Sequence, residues 1–215
     1  MARVSKGFLE HASNRGIARL CENHFVFLSS MIRVNFSHTI YFCRQCGVSV
    51  EHRVPDDGDT KLRAVCPACG TIHYQNPLNV VGTVPHLGDR VLLCKRNIEP
   101  RRGFWTLPAG FMELGESTAE GALRETQEEA GADIELEGLF SLLNVVRVGQ
   151  VHMYYRARLL SERFDPGHET MEARLFQQHE IPWEDIAFRT VKETLEHFFA
   201  DHRRGNYGFH VGDIS

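Results

Sequence analysis

The sequence of 215 residues contains no long hydrophobic run and only a small excess of charge. Its uncharged apolar stretches, such as His24–Ile32, are far shorter than the roughly 20 residues that a membrane-spanning helix needs. The formal net charge is −4 with histidine neutral, so the chain as a whole lacks the basic surplus that favours binding to polyanions. Internal repeats and low-complexity segments are also absent. These absences argue against a membrane protein, a repeat protein and a general nucleic-acid binder.

The composition is that of an ordinary globular protein. Hydrophobic residues make up 42% of the sequence and charged residues 24%. The 14 phenylalanines, together with leucine and valine, are enough to fill a core, which argues against intrinsic disorder. A chain of this length forms one domain of moderate size with room for a small appendage. Because no secretory signal is recognisable, we expect a cytoplasmic protein.

Four of the six cysteines form two Cys-x-x-Cys pairs, which are Cys43, Cys46, Cys66 and Cys69. Their spacing is typical of a zinc ribbon, and four thiolates around a tetrahedral Zn²⁺ leave no coordination position open for chemistry. We therefore expect a structural zinc ion. Iron is compatible with the same four ligands, whereas disulfides and a redox pair are disfavoured without a secretory signal. Between the pairs, Val48–Val54 and Lys61–Val65 predict a β-hairpin.

Residues 1–38 differ from the rest of the chain, because basic residues outnumber acidic ones there and no strong periodicity is present. A transit peptide, a regulatory arm and an over-long start with Met31 as the true initiator are the alternatives. In each case we predict that the segment is poorly packed. The predicted organisation is an N-terminal extension (1–38), a four-cysteine ribbon (39–76) and a larger α/β domain (77–215).

The larger domain begins with two predicted strands and a strongly acidic helix. Asn79–Val84 and Arg90–Lys95 read as strands around a turn. The segment from Ser117 to Ala130 has helical composition, with Ser117 as N-cap, a glutamate three residues later as its capping-box partner, and Gly131 as C-cap.

Three glutamates of this helix are placed at positions i, i+3 and i+4, which are Glu125, Glu128 and Glu129. Residues at these offsets share one face, so their like charges repel one another. A solvated acidic face is the plain interpretation. A divalent cation would turn the repulsion into attraction, and carboxylate oxygens favour a hard ion such as Mg²⁺ or Mn²⁺.

The spacing of these residues resembles the Nudix box, the signature of the Nudix hydrolases. A glycine is followed after five residues by a glutamate, and after seven more by the run Arg-Glu-Thr-Gln-Glu-Glu-Ala-Gly-Ala. All fixed positions of the signature are occupied: Gly110, Glu116, Arg124, Glu125, Glu128, Glu129 and Gly131. Thr126 and Ala132 depart from it, because bulky aliphatic side chains are usual there. This departure affects packing more than chemistry.

The resemblance implies an α/β/α sandwich with a mixed sheet, preceded by the zinc ribbon. It implies hydrolysis of the pyrophosphate bond in nucleoside diphosphate derivatives, with Glu125, Glu128 and Glu129 as ligands of Mg²⁺ or Mn²⁺. Arg124 would orient these carboxylates, and Glu116 would support the loop and helix or join the metal ligands. Bound Mg²⁺ polarises phosphoryl oxygens and lowers the pKa of a water that attacks phosphorus.

Candidate substrate contacts lie just before and within the box. Arg96 and Arg101 belong to a basic loop and could meet phosphates, and Trp105 could stack on a base. We also predict that Gly110 contacts the substrate. Solvated arginines and a buried tryptophan are the alternatives.

The general base of this family comes either from the box or from a later loop. Here the segment 165–172 offers Glu169 and Glu172. We favour Glu172 as the candidate from outside the box, because it immediately precedes an apparent strand, Ala173–Gln177. A solvated carboxylate on a surface loop is the alternative.

The resemblance extends to the branch that includes plant FAD pyrophosphatases and bacterial ADP-ribose pyrophosphatases. It rests on the ribbon, on Tyr74-Gln75-Asn76-Pro77, on the segment 105–110 and on a C-terminal Phe209-His210. The implied substrates are FAD, cleaved to AMP and FMN, or ADP-ribose, cleaved to AMP and ribose 5-phosphate. An NADH pyrophosphatase is the alternative, although Leu139–Gln150 shows nothing similar to the signature of those enzymes.

A non-catalytic nucleotide-sensing regulator is a further alternative. The complete box argues against it, as does the lack of a concentrated basic patch between Cys43 and Cys69. We therefore expect a small-molecule dinucleotide or nucleotide-sugar substrate, no membrane partner, no nucleic-acid partner and a homodimer.

The C-terminal part predicts one more helix. Its start is expected within Ile181–Phe188, with Pro182 in an early position. Val191, Leu195 and Phe198 then repeat at helical spacing through about His202, so this helix is expected to pack against the sheet.

Overall fold

The computed structural model describes residues 39–215, in which a small sheet is followed by a large one. The predictions for residues 1–38 lie outside the described residues. No helix within residues 39–215 is long and apolar enough to span a membrane.

The small sheet has three antiparallel strands in the order β1-β2-β3. The strands are β1 (Glu51–Arg53), β2 (Arg63–Val65) and β3 (Ile72–His73). The predicted hairpin is confirmed, since β1 and β2 pair across the intervening turn. Asp59 stabilises the end of that turn, because its carboxylate accepts hydrogen bonds from the Arg63 side chain and from two backbone amides.

The large sheet has eight strands and is mixed. Its central order is β10-β5-β4-β9-β8-β11, in which β4 with β9 and β8 with β11 are the parallel pairs. The strands are β4 (Leu78–Leu87), β5 (Arg90–Arg96), β6 (Trp105–Thr106), β7 (Ala109–Phe111), β8 (Ile134–Val145), β9 (Gln150–Leu159), β10 (Thr170–Gln177) and β11 (His210–Asp213).

Two helices, α1 (Thr118–Ala130) and α2 (Arg189–Arg204), cover the two faces of the large sheet. Strand β5 shows this division, because successive side chains of a strand point to opposite faces. Its Val91 and Leu93 pack in the cluster that contains α2, whereas Leu92 and Cys94 pack in the cluster that contains the end of α1. The expected α/β/α sandwich is confirmed.

The segment from β6 to β7 fills a gap between two diverging strands. β4 and β5 pair only beside their turn, at His86 with Val91 and at Leu87 with Arg90. Farther along, β6 pairs with β5 and β7 pairs with β4. This arrangement brings the backbone of Ala109 against β4 and close to α1.

The C-terminal part differs from the prediction in two respects. Residues Trp183–Asp185 form only a short 3₁₀ turn, and α2 begins at Arg189. The intervening backbone is extended because the Ala187 amide donates to the carbonyl of Trp105, 2.8 Å away. The strand β11 was not predicted, because it exists only through parallel pairing with β8.

Candidate functional site

Helix α1 carries the glutamates of the site, and its two ends are fixed by local sequence. The Ser117 hydroxyl accepts from the Glu120 amide, and the Glu120 carboxylate accepts from the Ser117 amide, which forms the predicted capping box. At the other end Gly131 has a left-handed φ of 58° and closes the helix as its C-cap. Both predictions for the helix ends are confirmed.

Arg124 joins the loop before α1 to the glutamates on it. Its guanidinium donates two hydrogen bonds to Glu116, of 2.9 and 2.8 Å. It also donates to Glu125 at 2.7 Å and to Glu128 at 3.0 Å. A fifth hydrogen bond reaches the backbone oxygen of Phe111. One side chain therefore sets the relative positions of three box carboxylates and strand β7.

The charge of Arg124 keeps Glu116 ionised. Hydrogen bonds from this guanidinium lower the pKa of Glu116 to about 2, and the backbone amide of Glu113 contributes in the same direction. The same pair raises the pKa of Arg124. The loop before α1 is therefore held by a permanent ion pair.

Glu129 is the most buried of the predicted metal ligands, with 8% of its surface exposed. Burial raises the pKa of this carboxyl group to about 8, against the opposing effect of a 3.0 Å hydrogen bond from the Ala109 amide. Burial also raises the pKa of Glu125, which the Arg124 ion pair opposes. Both groups are thus costly to ionise unless a nearby cation offsets the loss of solvation.

Gly110 is required by the close approach of β7 to α1. A β-carbon at this position would lie 2.3 Å from an oxygen of Glu125, far inside van der Waals contact. The absence of a side chain therefore lets the Glu125 carboxylate pass directly over the backbone of β7.

A cavity of about 790 Å³ lies at this end of the sheet. Its acidic lining residues are Glu99, Glu113, Glu125, Glu128, Glu129 and Glu169, and Arg96 and Arg124 also line it. Its apolar lining residues are Val80, Ile98, Pro100, Phe111 and Phe188. Such a combination suits a ligand that has both a charged part and a flat apolar part.

The predicted metal ligands all line this cavity, yet their oxygens are spread along its wall. Glu125 and Glu128 turn towards Arg124, and Glu129 turns towards the Ala109 amide. Their donor set consists of carboxylate oxygens, which suits a hard divalent ion. The raised pKa of buried Glu129 fits the same ion, because a cation would favour its charged form.

The structure separates the four predicted substrate contacts into two pairs. Arg96 and Gly110 line the cavity. Arg101 is exposed and lies over the ring of Phe104, and Trp105 is buried in the core. Trp105 packs edge-on against Phe176, with ring centroids 4.8 Å apart, so the alternative of a buried tryptophan describes its position.

The two loop glutamates also differ in position. Glu169 lines the cavity, and Glu172 does not belong to its lining. Glu172 lies inside β10 rather than in the preceding loop, because that strand already begins at Thr170 and pairs with β5.

Several residues of the cavity had no signal in the sequence. Gln150 and His152 come from the start of β9, and a 2.9 Å hydrogen bond joins their side chains. Burial lowers the pKa of His152 to about 4, so its ring is neutral at physiological pH. Phe188 and His168 come from segments far along the chain. Only the tertiary fold brings these residues to the box glutamates.

The four cysteines of the ribbon converge on one point. Their sulfur atoms lie within 4.8 Å of one another, and three of the pairs are 3.4 to 3.6 Å apart. Sulfurs bound to one tetrahedral ion at about 2.3 Å would be separated by about 3.8 Å. Within residues 39–215 no other group of three or more potential ligand residues is gathered so closely. The arrangement suits a metal with four sulfur ligands.

Comparison with known proteins also divides this part of the chain into a ribbon and a larger domain. Residues 77–198 match the family model described as "NUDIX domain", and residues 41–75 match the zinc-ribbon model described as "Nudix N-terminal". A crystal structure of a NUDIX hydrolase from Nitrosomonas europaea is 50% identical to this chain, with a TM-score of 0.77. That similarity covers 80% of this chain and 98% of the other.

Curated relatives are more distant. The NAD-capped RNA hydrolase NudC of Haemophilus influenzae is 33% identical over 129 residues, which cover 59% of this chain and 47% of that protein. The ADP-ribose pyrophosphatase of Methanocaldococcus jannaschii is 26% identical over 113 residues, which cover 51% of this chain and 67% of that protein. The chain thus spans about half the length of the NudC relatives it matches.

Proposed function

Because this chain belongs to the Nudix family, we propose that it hydrolyses the pyrophosphate bond of a nucleoside diphosphate derivative. The observation that carries the proposal is the cavity of about 790 Å³, which is lined both by the box glutamates and by apolar side chains. A pyrophosphate would lie beside the box glutamates, where a divalent ion would compensate the like charges. The attached nucleoside would lie against the apolar side chains.

Glu125, Glu128 and Glu129 are the proposed ligands of that ion, with Mg²⁺ or Mn²⁺ as the expected species. When bound, such an ion supplies charge neutralisation of the phosphates and a more acidic water. Arg124 fixes Glu125 and Glu128 through its hydrogen bonds, so that both carboxylates stay at the cavity wall. Arg96, also on the wall, is the proposed contact of a phosphate.

Glu169 replaces Glu172 as our candidate general base. Glu169 lines the same cavity as the box glutamates and is close enough for its charge to add to the raised pKa of Glu125 and Glu129, which burial dominates. In the proposed step, the oxygen of a water molecule bonds to one phosphorus and a water proton passes to Glu169. The bond between that phosphorus and the bridging oxygen breaks, which releases two monophosphates.

FAD and ADP-ribose are the proposed substrates, and NADH is the second candidate. The segment 105–110 supports the first pair, as does the similarity to an ADP-ribose pyrophosphatase. The similarity to an NAD-capped RNA hydrolase favours testing NADH and NAD-capped RNA as well. A homodimer stays a prediction, as does the identity of zinc in the ribbon.

Incubation of the purified protein with ADP-ribose, FAD, NADH and NAD-capped RNA would test the proposal. We expect release of AMP from ADP-ribose or FAD in the presence of Mg²⁺ and none in EDTA. For NAD-capped RNA the product to measure is the uncapped 5′-monophosphate RNA. If the protein cleaved none of the four substrates, the proposed function would be contradicted.

A variant pair connects the activity to the cavity. Glu128→Gln removes one proposed metal ligand and should lower turnover by about 10²-fold or more. Glu196→Gln makes the same change at an exposed position of α2 and should leave turnover unchanged. Normal turnover by Glu128→Gln would exclude the proposed role of this residue.

A further inference from the structure

The loop that carries Glu169 rests directly on the end of α1. The Asp165 amide donates to the carbonyl of Ala130 at 2.9 Å. Gly167 approaches so closely that a β-carbon there would lie 2.1 Å from the carbonyl oxygen of Glu128. Residues 165–167 are therefore placed by the helix that bears the box glutamates.

The following residues, His168 and Glu169, are held by Asn97. The backbone amide of Asn97 donates to the carbonyl of Glu169 at 2.7 Å. Its side-chain Nδ2 donates to the carbonyl of His168 at 2.9 Å. One residue therefore binds two successive backbone carbonyls immediately before β10 begins.

The orientation of the Asn97 amide is determined by its two partners. Arg102 donates through Nη2 to Oδ1 of Asn97 at 3.1 Å, and a guanidinium can only donate. The carbonyl of His168 can only accept, so it must face the NH₂ group. Arg102 thus fixes the donor that holds the Glu169 loop.

Packing alone does not confine Glu169, because 43% of its side chain is exposed. Its position at the cavity therefore depends on how its backbone is held.

We infer that Asn97 is a positioning residue, which keeps Glu169 at the cavity by hydrogen bonding to the carbonyls of His168 and Glu169. The inference rests on the proposed function for its catalytic consequence. Asn97 does not line the cavity, whereas Glu169 does, so the proposed effect of Asn97 on catalysis passes through Glu169.

Asn97→Asp tests this role with almost no change in shape. The variant keeps an acceptor for Arg102 but places an oxygen against the carbonyl of His168, where the native group donates. We expect kcat to fall by about tenfold to hundredfold, with KM within about twofold, because the reacting groups are displaced while substrate binding is retained. Asn97→Ala should give a loss of the same kind.

A double-mutant cycle distinguishes positioning from general destabilisation. If Asn97 acts through Glu169, Asn97→Asp should have little further effect once Glu169→Gln is present. An equal loss in the wild-type and Glu169→Gln backgrounds would overturn the inference. Asn144→Asp is the matched control, because the Asn144 amide also donates across elements, to Asp213 at 2.9 Å, far along the sheet. It should leave kcat unchanged.

Hydrogen exchange supplies a readout that does not depend on activity. The amides of Asn97 and Thr170, which donate to Glu169 and Gly167, should exchange faster in Asn97→Asp than in wild type. Unchanged exchange would overturn the positioning role even if turnover fell. If the wild-type protein cleaves no nucleotide while exchange rises as expected, the proposed function fails and the restraint on the loop stands.

Discussion

Gly110 shows how strictly single residues are constrained at the wall of the cavity. A methyl group in its place would occupy the space of the Glu125 carboxylate, 2.3 Å from its oxygen. Glu125 has little room to retreat, because only 12% of its side chain is exposed and Arg124 holds it. We therefore expect Gly110→Ala to lower kcat/KM by about 10²-fold, as a displacement of about 1 Å can do.

Gly208→Ala is the control for this prediction, since a β-carbon at Gly208 would have its nearest neighbour at 3.9 Å. Steady-state kinetics on both variants, together with thermal melts, would check it. A Gly110→Ala protein with wild-type kcat/KM would show that Glu125 can move without loss of function.

The residues of the site were predictable from sequence only where they follow one another along the chain. Spacing alone indicated that Glu125, Glu128 and Glu129 share a face of one helix, and all three line the cavity. His152 and Phe188 reach the same cavity from distant segments, and no local pattern marks them. Trp105 illustrates the opposite case, because pairing of β6 with β5 directs an apparently available aromatic side chain into the core.

At the scale of elements, α1 was predictable at both ends, and α2 was predictable except at its start. Ser117 and Gly131 cap α1 through contacts within its own sequence. The start of α2 depends instead on the pairing of residues 186–187 with Trp105, which overrides the helical signal of Pro182. The apolar spacing correctly predicted the buried face of α2, since Val191, Leu195 and Phe198 are fully buried.

The tail that ends in β11 depends on one buried carboxylate of α2. Asp201 is 1% exposed and accepts hydrogen bonds from the Gly208 amide at 2.9 Å and from His210 at 2.7 Å. Burial raises the pKa of Asp201, but these hydrogen bonds and one from Arg204 outweigh it and bring the pKa to about 2. The ionised form therefore ties the tail to the helix.

Asp201→Asn should lower the melting temperature at pH 7 by about 4 °C, because the hydrogen bonds lose their charged acceptor. The folded-state pKa lies below the ordinary value of 3.8, so this stabilisation is present above about pH 4. It is lost as the pH falls towards 2, where wild-type Asp201 becomes protonated. Melts of both proteins should therefore converge in acid.

Asp185→Asn is the matched control, since Asp185 is exposed and its side chain should contribute little. Melting curves between pH 2 and pH 7 would test this prediction. If the difference in melting temperature between wild type and Asp201→Asn stayed constant over this range, the stabilisation would not depend on the ionised form of Asp201.

At the scale of the whole molecule, strand order was the part that local patterns could not supply. β4 pairs in parallel with β9, so that Leu78 lies opposite Gln150, although a large part of the domain separates them in sequence. The family resemblance implied an α/β/α sandwich with a mixed sheet, and the strand order itself is seen only in the structure. The fold of the ribbon could be predicted from local patterns, because two cysteine pairs and one hairpin describe nearly all of it.

The ribbon and the hydrolase domain should also differ in what stabilises them. A segment of about thirty residues cannot bury enough apolar surface to fold alone, so the ribbon needs its metal. Cys66 is 1% exposed and belongs to the sulfur cluster. We expect Cys66→Ser to reduce bound zinc from about one ion per chain to nearly none.

Loss of the ion should also make the ribbon sensitive to trypsin, which would cleave after Arg53 or Arg63 in the unfolded segment. Cys94→Ala is the matched control, because Cys94 is equally buried but lies in β5 among apolar neighbours. It should retain its zinc and keep the ribbon resistant, as measured by elemental analysis and timed digestion. Full zinc content in Cys66→Ser would show that the four sulfurs do not form the zinc site. If the wild-type protein contained iron instead of zinc, the identity of the ion would be corrected and the four ligands would stay the same.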